Sequence, residues 1–446
     1  MSLDSCPIAR SEYCGYRAAA YRYAVCITVN ARDGPLQFEV RMDTRMSPTE
    51  PSDHTNVLTS SMTAFVEKYV NPGAAERDRL ALPVPKEIMV ESARLGLLSA
   101  SFPTQIGGSG LDELTYGLFL EELGRVSEDF SFVMLASLFP AVSKTILETA
   151  DASMIDRYIR PAIRGECFAA FAYTEGADPF SFQTGCVKDC DGYVVNGEKY
   201  YVMGGMLADI FMVYVRDEHN DLLPFIIERE DPGVEIIPLT NMSGLRAVGL
   251  AKLCLKSVRI PGTRLVVSAD GLSHVQRFLN LRRISAMCGL VGRMQAVLDD
   301  LVQNLHSTIR YGQPVSVMPN VQAVLGKMYV SIETSRAMLY RSLHRLQSDH
   351  FDPHWDPILA ATKYWIVDQA NQLMLNVYRL AGGKGYIHDQ HYGRFQRDFA
   401  GLIPTVGAQD VLEVDLGVWT SHDSEMRTQK ENEPCLSGYR DRSCVL

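Results

Sequence analysis

The segments Phe168-Ala-Ala-Phe-Ala-Tyr-Thr-Glu175, Tyr193-Val-Val-Asn-Gly197, Phe211-Met-Val-Tyr-Val-Arg216 and Leu255-Lys-Ser-Val-Arg-Ile-Pro261 decide the fold. They are short β-branched and aromatic runs, punctuated by Asp191-Gly192, Asn196-Gly197, Gly204-Gly205 and Pro232-Gly233. Runs of this kind separated by Asn-Gly or Asp-Gly read as strands and tight turns. The flanks are written differently. Val57, Leu58, Met62, Phe65, Val66 and Val70 recur at helical spacing, as do Leu114, Leu118, Leu120, Leu123 and Val126; apolar residues three and four apart line one face of a helix. A β domain of roughly 100 residues between two helical domains follows, in a chain long enough for about three domains.

Working outward, helices are expected over about 57–70, 83–98, 114–126, 130–150 and 154–163 on the N-terminal side. On the C-terminal side they are expected over 272–306, 321–347 and 356–381, with a turn at Tyr311-Gly-Gln-Pro314, an irregular stretch from Gly382 to Gly407, and a final helix to about Trp419. The expected boundaries are an extension of uncertain order over 1–55, an N-terminal helical domain over 56–167, a middle β domain over 168–271, a C-terminal helical bundle over 272–420 and a polar, disordered tail over 421–446.

Charge and cysteine usage narrow the class. A net charge of −10 argues against a nucleic-acid partner or an anionic membrane surface. No apolar run is read as a membrane span, and the start lacks a basic region followed by an apolar one. The ten cysteines form no C-x-x-C pair, and Cys186 and Cys190 have no second ligand pair at metal-site spacing. Free thiols in a cytoplasmic protein without metal fit this usage.

A series of short motifs, in order, resembles the acyl-CoA dehydrogenases, FAD-dependent enzymes that desaturate acyl thioesters. These are Pro103-x-x-x-Gly-Gly-x-Gly110, Glu121-Glu-Leu-Gly124, Tyr173-Thr-Glu175, Asn196-Gly-Glu-Lys199, Arg283 with Gly289-x-x-Gly292, Gly382-Gly-x-Gly-Tyr386 and Arg394-x-x-Arg397-Asp398. The resemblance covers about residues 56–420. It implies a mainly α fold with a central β-barrel or sheet domain and a C-terminal four-helix bundle, a homodimer or homotetramer with FAD across the interface, and an acyl thioester substrate on CoA or a carrier protein.

It also shows departures. The family's chemistry needs a carboxylate to take the α-proton while the flavin accepts hydride. By the resemblance, the usual base position falls on Val406 and the alternative one, on the helix before Gly289, falls on Arg282; neither is a carboxylate. The catalytic base is therefore unassigned, with Asp410 a weak candidate. The resemblance puts Tyr173, Thr174, Tyr201, Met203, Arg310, Arg379, Gly382 and Gly383 at FAD, although Tyr201 stands where the family has Trp, Met203 where it has Thr or Ser, and Thr308 where it has Arg. Asp178, in a shortened loop, and Arg283 are the candidate substrate contacts, while Arg394, Arg397 and Asp398 read as structural. An atypical flavoenzyme of a specialised-metabolite pathway is one reading. A protein that has lost FAD and performs a non-redox step or binds a partner is a second, and a purely structural scaffold a third.

Overall fold

The computed structural model describes residues 24–30, 37–43, 53–176, 182–267, 271–348, 351–352, 354–387 and 391–432. The chain forms two compact units, 1–57 and 58–446. Within the first, strands β1 (Ala24–Asn30) and β2 (Gln37–Asp43) pair antiparallel.

The second unit opens with helices. α1 (Asp53–Phe65) continues through a π turn over Val66–Val70 and a 3-10 turn to α2 (Ala74–Leu80), followed by α3 (Lys86–Arg94). Of the residues that set the helical spacing, Leu58, Met62, Phe65, Val66 and Val70 are buried in the core, whereas Val57 is exposed. α4 (Glu113–Val126) starts at Asp112, whose carboxylate accepts from Thr115 N at 2.7 Å. α5 (Phe130–Leu147) starts at Asp129, which accepts from Phe132 N at 3.1 Å and from Arg77 Nε at 2.7 Å. Such caps satisfy amides that the first helical turn leaves without partners. The short turns α6 (Ala152–Met154) and α7 (Arg160–Ile163), joined by a π turn, close this domain.

By length and composition α5 could cross a membrane, but 89% of its most apolar window is buried inside the protein. A helix hydrophobic all round belongs either in a membrane or at the centre of a core; here the burial puts it in the core.

The middle domain is a seven-stranded curled sheet of β3 (Ala169–Ala172), β4 (Gly185–Asp189), β5 (Gly192–Val202), β6 (Ile210–Arg216), β7 (Leu222–Glu228), β8 (Val234–Pro238) and β9 (Ala251–Pro261), ordered β3-β6-β4-β5-β9-β8 with β7 also paired to β6. Asp191-Gly192 closes the β4–β5 hairpin as expected. Asn196-Gly197 does not make a turn: it sits inside the eleven-residue β5 at a break in register with β9. Asn196 Oδ1 accepts from Ser257 N at 2.8 Å, and Gly197 takes φ +144°. The glycine allows a bulge, the other use of such a pair inside a strand.

α8 (Gly271–Ser307) is the spine of the C-terminal bundle. The two-residue hairpin β10 (Ile309–Arg310) and β11 (Gln313–Pro314), α9 (Pro319–Leu346), α10 (Pro357–Ala381), α11 (His391–Ala400) and α12 (Gln409–Asn432) complete it. Backbone crowding explains Gly289-x-x-Gly292: a Cβ on Gly292 would collide with Glu121 O, and one on Gly124 with Gly289 O, so α4 and α8 meet backbone to backbone. Two expectations fail. The stretch to Gly407 holds α11, with Tyr392, Phe395 and Phe399 buried on one face, and the last helix runs past Trp419 to Asn432; the rest of the expected tail, 433–446, lies outside the described residues.

Candidate functional site

The loop at the expected base position is tightly held. Val406 takes φ +58°, a left-handed conformation that is unfavourable for a β-branched residue. Its carbonyl accepts from Arg283 Nε at 3.1 Å. From α10, the fully buried Lys363 Nζ donates to Gly407 O at 2.7 Å, Gln409 Oε1 at 2.9 Å and Ile403 O at 3.2 Å. Burial, assisted by the charge of Arg283, lowers the Lys363 ammonium to about 7. Such local strain persists only where the surroundings over-determine the backbone, and the two cations supply that restraint.

Arg283 is therefore committed to its own chain. Besides Val406 O it reaches Asn280 Oδ1 at 3.1 Å, faces the Trp355 ring at 5.7 Å and feels the charge of Asp415. This corrects the expectation that it meets a ligand: it bolts α8 to the 403–409 loop. Asp410 is exposed in the first turn of α12, so the acid that faces this cluster is Asp415.

Arg282, next along the helix, points elsewhere. Its guanidinium is buried and donates to Ser137 Oγ at 2.9 Å and Met134 O at 3.2 Å, with Ser285 Oγ at 3.5 Å. Met203 Sδ lies 4.0 Å from Nη2. Beside it is a cavity of about 30 Å³ between α4, α5, α8 and α9, whose walls include Tyr116, Ser137, Ser285 and Cys288, with Glu113 and Lys144 paired across 2.6 Å. The Tyr116 hydroxyl is buried on this wall beside Ser101, and burial pushes its pKa up.

The expected flavin-side residues divide. The Thr174 carbonyl accepts from Tyr200 N at 2.8 Å, which holds the end of β3 against β5 and leaves Thr174 exposed. Glu175 anchors this turn: it pairs with the fully buried Lys199 at 2.5 Å and accepts from Thr184 N at 3.1 Å. Lys199 is lowered to about 8 by burial, while the bonds from Lys199 and Thr184 hold Glu175 below its usual range. Tyr201 is 62% exposed with φ +57°. The Tyr173 ring packs with Phe171, Phe182 and Tyr214 instead of standing free. Asp178 lies outside the described residues.

The expected nucleotide-side residues lie apart from these. His391, at the start of α11, reaches Asp300 on α8 at 3.1 Å, eighteen residues beyond Arg282 and so roughly 27 Å along the helix. Gly382–Tyr386 leads into that helix. Gly382 adopts φ 60°, ψ −147°, a region open essentially to glycine alone. Cβ atoms on Gly382 or Gly383 would meet nothing within 4 Å, leaving a bare backbone facing open space. Arg379 and Arg310 are exposed nearby in sequence and at the β10–β11 turn respectively. One chain thus separates Met203 and Thr174 from Gly382 and Gly383.

Arg394, Arg397 and Asp398, read from the sequence as structural, do not pair with one another. Arg397 bonds Asp78 and Ser243 O, and the buried Asp398 accepts from Leu245 N at 2.6 Å. Burial raises Asp398 to about 7.

Sequence reasoning passed over Lys363, Tyr116 and Ser137. Lys363 left a signal: it occupies a core position of α10 in register with Leu359, Ile366, Val367 and Ala370, where a cation needs a buried partner. Tyr116 and Ser137 left none: Ser137 meets Arg282 from a helix distant in sequence, and nothing local marks the wall on which Tyr116 lies.

Three family models match in succession: the N-terminal domain of acyl-CoA dehydrogenase over 52–166, its middle domain over 167–258 and its C-terminal domain over 269–416. The chain belongs to the acyl-CoA dehydrogenase family, whose members are flavoenzymes, and has its fold. A 3-(aryl)acrylate reductase of Clostridium sporogenes is 24% identical over 358 residues, covering 78% of this chain and 94% of the relative. The butyryl-CoA dehydrogenase of Megasphaera elsdenii superposes with a TM-score of 0.78 at 24% identity, covering 84% of this chain and all of that one. A prolyl acyl carrier protein oxidase superposes with a TM-score of 0.78 at 20% identity, covering 83% of this chain and 100% of that one.

Proposed function

We propose that this protein is an FAD-dependent oxidoreductase acting on an acyl thioester carried by CoA or a carrier protein, with catalysis that does not use the family's carboxylate base. The observation that carries this reading is the convergence at Arg282. The guanidinium touches Met203, on the expected flavin side, and Ser137, on the pocket wall. The residues fit a dinucleotide. Exposed Thr174 and Tyr201, with Met203, offer the flavin a surface poorer in hydrogen bonds than the family pattern, and Gly382 and Gly383 leave the bare backbone that close approach to a nucleotide requires. Arg310 and Arg379 supply positive charge. When bound, FAD would accept hydride from the acyl chain or return it. Since these two sets lie far apart in one chain, a homodimer or homotetramer with FAD across an interface follows.

The chain's own groups set the chemistry. Val406 cannot take a proton, and Arg282, standing where some relatives keep a carboxylate, reverses the sign of charge beside the pocket. A guanidinium stabilises negative charge developing on a thioester oxygen; it does not serve as an ordinary base. That favours delivering electrons to, or withdrawing them from, an already activated acyl group, as in specialised metabolism, over plain desaturation.

The test is a visible absorption spectrum before and after FAD is added, with gel filtration alongside. Flavin bands that persist through gel filtration and bleach with an acyl thioester or a reductant are expected, in a dimer or larger. A colourless protein that takes up no FAD would overturn the reading in favour of a non-redox role.

A further inference from the structure

The polar groups on the wall of the cavity between α4, α5, α8 and α9 are engaged within the chain. Glu113 and Lys144 pair at 2.6 Å. Ser137 Oγ donates to Val133 O at 3.0 Å and accepts from Arg282, Ser285 Oγ donates to Arg282 O at 3.2 Å, and the Tyr116 hydroxyl lies beside Ser101. What the space offers a ligand is the apolar surface of Leu120, Leu281, Ile284, Leu343 and Leu346. A space lined this way takes apolar groups in preference to water. Its depth is fixed at one place. Leu343 reaches from α9 onto the α4 backbone at Gly117, where a Cβ would stand 2.4 Å from Leu343 Cδ1. Both residues line the cavity, and Leu343 is buried. The cavity adjoins the expected flavin side, since Ser137 on its wall bonds Arg282, whose Nη2 lies 4.0 Å from Met203 Sδ.

Resting on the proposed function, we propose that this cavity receives the tail of the acyl thioester, that the tail is short and apolar, and that Gly117 and Leu343 set its length. The cavity, about 30 Å³, has room for roughly two water-sized groups, which suits the last carbons of a butyryl chain and excludes an octanoyl one. Gly117 lets Leu343 lie against α4 instead of in the cavity, and Leu343 closes the space beyond. The two act as specificity-determining residues for the bound acyl group.

The experiment is isothermal titration of the full-length protein, supplemented with FAD, using the acetyl, butyryl and octanoyl thioesters of pantetheine. Wild type is expected to bind the butyryl ester about 15-fold tighter than the acetyl ester, the scale of two buried methylene groups. The octanoyl ester should bind at least about 10-fold weaker than the butyryl ester, the scale of overfilling a packed site. Leu343→Ala, which opens the closed end, should bring the octanoyl ester level with the butyryl ester or past it. Gly117→Ala works in the opposite sense: its methyl drives Leu343 into the cavity and should weaken the butyryl ester about 10-fold while leaving the acetyl ester unchanged. Alanine is a better helix former than glycine, so this variant guards against a Leu343 variant that does not fold. Octanoyl binding as tight as butyryl in wild type, a ratio between them that Leu343→Ala leaves unchanged, or a butyryl affinity that Gly117→Ala leaves unchanged overturns the proposal. So does failure of all three esters to bind. Binding needs no turnover, so the flavin spectrum decides separately whether the redox reading stands.

Discussion

The pocket end of α8 and the glycine turn after α10 are built on opposite terms. Around Arg282, Arg283 and Lys363 the side chains are buried and their hydrogen bonds mostly end on the same chain. Around Gly382 and Gly383 the backbone is bare and has open space before it. The first region is shaped by folding alone, whereas the second makes sense as a surface that something else completes. Substitutions should accordingly damage stability in the first and binding in the second.

Lys363→Met gives the largest expected effect. It leaves Gly407 O and Gln409 Oε1 without the Lys363 donor, while Ile403 O still accepts from Gln409 N, at a cost of about 1–3 kcal/mol for each group left unpaired. A loss of ~3 kcal/mol in urea unfolding is expected; a loss under ~1 kcal/mol would show that the 403–409 loop does not depend on this clamp.

Asp398 tests the closed region through pH. Its folded pKa is about 7, raised by burial from an ordinary value near 3.8. Between those values the native state holds a proton that the unfolded state has released, so this residue's contribution makes stability fall as pH rises from about 4 to 7. Asp398→Asn keeps an oxygen acceptor for Leu245 N and removes the titration. The variant should therefore gain on wild type by on the order of 2 kcal/mol between pH 5 and pH 8. A difference that stays constant across this range would mean that Asp398 is charged throughout.

Gly383→Ala should have the smallest effect on folding and a clear one on binding. Nothing in the chain meets the added methyl, so unfolding should shift by less than ~0.5 kcal/mol. FAD affinity should nevertheless fall about tenfold, read by fluorescence titration, if the backbone there touches the nucleotide. Unchanged affinity would remove this turn from the cofactor site and dissolve the contrast between the two regions.

How much of this was legible varies with the range of the interaction. The β domain was readable because alternation and Gly-containing turns are local, yet Asn196-Gly197 misled as a turn: a dipeptide specifies φ freedom, and only the pairing with Ser257 decides that it is used for a bulge. α11 was legible, since Tyr392, Phe395 and Phe399 stand at i, i+3 and i+7, the spacing of one helical face; the glycine cluster before it reads instead as an irregular stretch. In the site, the absence of a carboxylate at Val406 was plain from order and spacing. That adjacent Arg282 and Arg283 divide into a tie to α5 and a loop bolt was not, since the 3.6-residue helical repeat swings neighbours about 100° apart and distant helices determine what each meets.

By itself, the sequence determined the helical–β–helical architecture and membership of a family, because periodicity, turn chemistry and motif order are written locally. Tertiary structure alone decided which groups each buried cation meets. Burial and the placing of counter-charges depend on residues as far apart as Ser137 and Arg282, and no local pattern records them.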